Sequence, residues 1–238
     1  MSTSSQPLSN SHNDQRGRAF DFSIPTPLGW VCTPSQSHVG LVFATPGRDD
    51  RPSLTFHEHV RTSRRTKQPP PALGERFELA FGLAKLLADL VAVGWVHKGF
   101  HSHNLLFFHR IGFRKLFLSG FTYARPEDVE NDFSNVPDDE TAASLYLLDD
   151  ATKRKTAKGD IYSLGIVLIE LGYWYNMESL LKKENRNKLV EDLGFKCGAV
   201  YQSVVRACLA CENDEETSDT SDRELMGNIL EDLASCRA

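Results

Sequence analysis

The stretch DIYSLGIVLIELGYW, Asp160 to Trp174, constrains this chain more than any other. It is apolar nearly all round and too long for an ordinary strand, so it reads as a helix buried on every side. Such a helix cannot lie on a surface. Other elements must wrap it, and 238 residues are enough to supply them. One carboxylate, Asp160, stands at its start, where buried backbone N–H groups would receive it.

Candidates for the wrapping elements follow from periodicity. From Leu73 to Val93 the residues Phe77, Ala80, Phe81, Ala84, Leu87, Ala88 and Val91 recur every three to four positions, predicting a long helix that Gly94 ends. Two further amphipathic helices are predicted near Tyr201 to Cys211 and Arg223 to Cys236. VGLVFATP (Val39 to Pro46) reads as a strand, and LLFFHRIGFRKLFL as two strands joined by a turn around Gly112. A short helix is predicted in SLTFHEHVR. The basic run RTSRRTK and the prolines Pro69 to Pro71 then read as an exposed, stiff linker. The expected fold class is mainly α, with a minor β part (α+β).

Residues 1–18 are rich in Ser, Asn and Gln without periodicity, and read as a disordered tail. Residues 19–38 read as an irregular segment or the remnant of a smaller lobe, and 39–238 as one domain. Between residues 127 and 150 there are nine Asp and Glu and no Lys or Arg, which predicts a solvated loop. The run ENDEETSDTSD (Glu212 to Asp222) reads as a second acidic loop. A net charge of -5 argues against a nucleic-acid ligand, and no apolar run approaches the roughly 18 residues of a membrane span. No secretory signal is visible in residues 1–19, and five scattered cysteines fit a reduced compartment, so the expected location is the cytoplasm.

The stretch WVHKGFHSHNLLFF, Trp95 to Phe108, looks like an active-site loop, with three histidines in seven residues. As a metal site it would use His97, His101 and His103, with His109 as a fourth ligand. H-x-H chelates when both rings share one face of a strand, but no Asp-His or Cys pair follows at a ligand spacing. The simpler expectation places His101 and His103 in a loop facing solvent. Cys208 and Cys211 form a lone C-x-x-C inside an apolar helix, where packing is the simpler duty. A cysteine hydrolase built on His97 lacks an elbow or an orienting partner.

Four motifs in order carry a resemblance. HKGFHSHN (His97 to Asn104) has the spacing of the kinase signature H-R-D-L-x-x-x-N. LFLSGFTYA (Leu116 to Ala124) resembles the strand before D-F-G, with Gly120, Phe121 and Thr122 in its place. DIYSLGIVLIEL is similar to the D-x-x-S-x-G helix that anchors the kinase core. VGLVFATP looks like the strand and hinge between the two lobes, with Phe43, Ala44 and Thr45 at the hinge pocket. Residues 38 to 235 thus resemble the large, C-terminal lobe of a protein kinase. The phrases GWVHK, LSGF-x-Y-x-RP and DIYSLG-x-VL look like the degenerate kinase-like domains of fungal proteins found behind prion-inhibition (HeLo-type) domains.

The resemblance implies a C-terminal lobe with a short hairpin and a truncated or missing small lobe, because too few residues precede Gly40 for a five-stranded sheet. It also implies lost chemistry. Gly99 stands where the catalytic Asp belongs, a loss worth on the order of 10²- to 10⁴-fold in rate. Gly120, or Ser119 one register earlier, replaces the carboxylate that holds magnesium. No lysine precedes Lys67 to clamp phosphate, no G-x-G-x-x-G loop precedes the hinge strand, and A-P-E is replaced by YLLDDATKRKTAKGD. His97, Lys98, Asn104, Phe121 and Asp160 remain, with scaffold roles. The expectation is an inactive kinase-like module, without cofactor, that binds a protein partner in fungal self-recognition or cell-death signalling. Its acidic segment would favour basic partners. The alternatives are a weak kinase with ATP and magnesium, and a metal-binding histidine cluster.

Overall fold

The run predicted as a buried helix forms one from Ala157 to Tyr173, and every residue from Gly159 to Gly172 is buried. The structure, a computed structural model, describes residues 24–32, 39–45, 54–108, 116–127, 145–148, 156–211 and 221–236. In chain order the elements are β1 (Pro27–Cys32), β2 (Val39–Phe43), β3 (Leu54–Thr55), α1 (Phe56–Arg65), α2 (Leu73–Ala92), β4 (Trp95–Val96) and β5 (Leu105–Phe107). They continue with β6 (Phe117–Leu118), a 3-10 turn (Phe121–Tyr123), β7 (Arg125–Pro126), α3 (Ala157–Tyr173), α4 (Met177–Leu181), α5 (Arg186–Cys197), α6 (Ala199–Ala210) and α7 (Asp222–Ser235). The expected class holds: the described residues are mainly helical, with small antiparallel sheets.

Helix α3 is the axis. Helices α2, α5 and α6 pack on it, and α7 packs on α2 and α6. Leu83, Leu87, Ile161, Leu164, Leu168, Leu193 and Val205 are each at most 1% exposed, and truncating one such Leu or Ile to Ala typically costs about 2–5 kcal/mol. Gly165 sets the approach of α6, since a Cβ there would lie 2.8 Å from the Cβ of Cys208. The carbonyls that end α3 are not left bare: Arg76 of α2 donates to the Gly172 oxygen at 2.5 Å and to the Leu171 oxygen at 3.3 Å. Among the described residues no helix is long and apolar enough to cross a membrane.

Helix α1 departs from the linker expected around RTSRRTK. Thr55 accepts the Glu58 N–H on its hydroxyl at 3.1 Å, and Glu58 accepts the Thr55 N–H at 3.0 Å, so the helix starts firmly. It then runs on through Arg65, because Arg64 and Arg65 suit the negative end of the helix dipole. Only the stretch after Thr66 is linker. Between Trp174 and Tyr201, where no helix was expected, α4 and α5 form. The apolar stripe of α5 is narrow (Leu189, Val190, Leu193, Cys197), and its start depends on Asn185 accepting the Lys188 N–H at 3.0 Å.

The strands form three small sheets. β3, β5 and β6 pair antiparallel in the order β3-β5-β6, with Thr55 opposite Leu106 and Leu105 opposite Leu118. This agrees with the two strands expected in LLFFHRIGFRKLFL; the turn at Gly112 lies outside the described residues. β4 pairs with β7, Trp95 opposite Pro126. β2 pairs with β1, a strand not anticipated. That hairpin is exposed on both faces, with Trp30 at 42%, Val31 at 56% and Leu41 at 60%. The expectations for residues 1–18 and for 128–144 lie outside the described residues, as does most of the acidic run after Cys211.

Candidate functional site

Strands β4 and β5 hold the loop of Trp95 to Phe108 at both ends, and Asp160 at the head of α3 fixes its middle. The Asp160 carboxylate accepts the His97 N–H at 2.5 Å and the Lys98 N–H at 2.9 Å, one on each oxygen. Burial pushes this acid up to about 7, while the two N–H groups act in the opposite sense. With both oxygens occupied as acceptors, the geometry is that of the ionised form. Lys98 has a φ of +59°, a left-handed conformation unusual for a residue with a side chain, and Asp160 holds it there.

His97 is 1% exposed and sets its ring edge-on to Phe121, 4.7 Å between centroids. Burial, with His101 nearby, pulls its pKa to about 4. Neither ring nitrogen meets a partner at full hydrogen-bond geometry; the Ser119 and Gly99 backbones lie near enough to offset only part of the burial. A neutral buried imidazole on an aromatic edge is a packing element.

Asn104 decides what the loop can do. Its Nδ2 donates to the Gly99 carbonyl at 2.9 Å and to His101 Nε2 at 3.2 Å, and its backbone carbonyl accepts from the Ser119 N–H at 2.8 Å and the Ser119 hydroxyl at 2.9 Å. The side-chain amide also packs against both glycines. A Cβ on Gly120 would meet Asn104 Cγ at 2.4 Å, and one on Gly99 would meet Nδ2 at 3.0 Å. Gly120 also has a φ of +81°, which favours glycine. The Asn104 amide thus fills the space that a side chain on Gly120 would need and crowds the one at Gly99.

The other expected site residues are placed differently. Phe43 and Ala44 are partly exposed and Thr45 is exposed, at the end of a hairpin whose strands pack chiefly on each other. His101 and His103 were expected to face solvent and do not. Both are half-buried: the His103 ring stacks on His57 of α1 at 3.9 Å, and His101 lies 5.8 Å from His103 and 5.7 Å from Tyr146. The loop turns inward because α1 closes over it, with the His57 N–H donating to the Ser102 carbonyl at 3.1 Å. Stacked rings do not converge on a metal, and no group of three or more His, Cys, Asp or Glu among the described residues is arranged to hold one. His109 lies outside the described residues. Cys208 is buried in α6 and Cys211 just past its end, and burial pushes the Cys208 thiol far above its ordinary range, as its packing role implies.

A second buried carboxylate was missed. Glu170 is 1% exposed, and its Oε1 accepts from the Tyr146 hydroxyl at 2.7 Å and the Met177 N–H at 2.8 Å. Tyr146 also meets the Ser102 hydroxyl at 2.7 Å, so the network ties the loop to the far end of α3. Burial pushes Glu170 up to about 7. The sequence did carry a signal: a lone Glu inside an apolar run has to be paired. The chain matches no known family model, and no curated protein resembles it in sequence.

Proposed function

We propose that the chain is a catalytically silent kinase-like module, a C-terminal lobe kept as a scaffold for protein binding inside the cell. The observation that carries this reading is the Asn104 side chain, lodged where a side chain on Gly120 would have to stand. Phosphoryl transfer is positioning and charge stabilisation, and it needs a carboxylate for the metal and one for the substrate hydroxyl. Here glycines occupy both positions and an amide closes over them. Backbone donors from the loop to Asp160, and His97 against Phe121, supply the rigidity that a binding scaffold needs. The resemblance of GWVHK and DIYSLG-x-VL to fungal kinase-like domains makes self-recognition or cell-death signalling the proposed setting, with a protein as partner and no nucleotide required.

The test is phosphotransfer from labelled ATP with magnesium or manganese, alongside thermal shift with nucleotide. No turnover and no nucleotide-dependent shift are expected. Turnover that disappears in Asn104→Ala would overturn the proposal.

A further inference from the structure

Outside the loop, one surface concentrates charge against the trend of the molecule. The C-terminal half of α1 and the turn after it carry Arg61, Arg64, Arg65 and Lys67, and the residues after α4 add Lys182 and Lys183; all six are exposed. Tyr175 joins the two groups. The Arg64 guanidinium lies 4.0 Å from its ring centroid, and the Lys183 ammonium 4.6 Å from the same centroid and 3.2 Å from the hydroxyl. Hydrogen bonds from Lys183 and Arg64 hold the Tyr175 phenol below its ordinary range. Two cations thus share one aromatic ring. Among the described residues none of the six makes an ion pair, whereas Lys85 and Lys188 both do.

Dipole complementarity explains part of this, since cations favour the end of a helix. It does not explain why Lys182 and Lys183 are brought to the same place, nor why Arg61, Arg64 and Arg65 stand as i, i+3, i+4 neighbours, where like charges repel. An anion seated among them would relieve that repulsion. The whole chain carries a net charge of -5, so a long polyanion or a charged membrane that reached beyond the patch would meet repulsion. A short acidic segment would meet fewer of the chain's own carboxylates, the nearest in sequence being Glu58, Glu178 and Glu184. Arginine forks seat carboxylates in bidentate fashion, which suits a run of Asp and Glu.

We propose that Arg61, Arg64, Arg65, Lys67, Lys182 and Lys183, gathered around Tyr175, form the docking surface for an acidic peptide segment of a protein partner. None of the six cations belongs to the Asn104 loop, although α1 covers that loop, so the surface is tested with variants that leave the loop unchanged.

The experiment uses the full chain and a fluorescent octaglutamate peptide, followed by anisotropy. Binding is expected at about 50 mM salt and should weaken by roughly tenfold at about 300 mM, as an exposed charge interaction must. Arg61→Gln with Arg65→Gln removes two cations that do not touch Tyr175 and should weaken binding by roughly tenfold. Lys85→Gln with Lys188→Gln makes the same change in net charge elsewhere and should leave binding intact. Thermal unfolding confirms that both double variants are folded. Absence of peptide binding, equal losses in the two double variants, or tighter binding of single-stranded DNA or anionic vesicles would each overturn the proposal.

Discussion

The rings of His57 and His103 lie face to face, 3.9 Å between centroids, although one comes from α1 and the other from the loop that α1 covers. Burial lowers the pKa of both, and for His57 the nearness of His103 adds to the effect. The native state therefore binds protons less readily than the unfolded chain, whose histidines titrate near 6.5. Stability contributed by the neutral stack is present above that value and is lost as pH falls below it. Replacing His103 with Phe keeps the ring and removes the proton. The acid-unfolding midpoint, followed by circular dichroism, should move to lower pH in this variant; an unchanged midpoint would show that the stack has no part in acid sensitivity.

Glu170 works in the opposite direction. Its pKa is raised from 4.5 to about 7, so between these values the native state holds a proton that the unfolded chain has released. Its burial thus favours folding progressively as pH falls through that window. Glu170→Gln keeps acceptors for Tyr146 and Met177 but cannot titrate. Relative to the parent, the variant should lose about 1.4 kcal/mol per pH unit between about pH 7 and pH 5 in urea unfolding. Parallel stability curves for the two proteins would contradict this.

Asp160 holds two backbone N–H groups with two oxygens. Asn offers one oxygen and turns an NH₂ toward the second donor, leaving two buried donors facing each other. Asp160→Asn should cost about 2–4 kcal/mol in urea unfolding, more than a typical surface change. A loss under about 0.5 kcal/mol would mean that the loop is held by something else.

Gly120 and Asn104 should be coupled. Gly120→Ala alone meets the amide and adopts a left-handed φ, for a cost of about 2–4 kcal/mol. In an Asn104→Ala background the clash disappears and only the conformational cost of about 1–2 kcal/mol remains. A double-mutant cycle should therefore return an interaction of at least about 1 kcal/mol. Additive changes would place the amide elsewhere.

How much of this was legible from residues alone depended on whether the cause was local. The buried α3, the long α2, α6 and α7 follow from periodicity, because one stripe or none is a property of consecutive residues. The β5–β6 pair followed from two apolar runs a turn apart. The end of α1 did not, because a run of basic residues reads as solvated surface unless the capping at Thr55 and Glu58 is weighed first. Asp160, His97 and Asn104 stood out in the sequence only as motif positions of a resemblance, and the contacts they make come from the fold. The inward turn of His101 and His103 was not legible, because it depends on His57, more than forty residues earlier in the chain. Glu170 could have been singled out, but its partners Tyr146 and Met177 lie on opposite sides of it in sequence and only the fold brings them together.

The interlock of Asn104 with Gly120 also makes the order of substitution matter. A carboxylate introduced first at 120 enters occupied space and weakens the fold before it can serve any ligand. One introduced after residue 104 has been shortened enters free space, but by then the brace between Gly99 and Ser119 has lost its side-chain half. Neither single step is neutral, so the effect of a change at either position depends on what stands at the other.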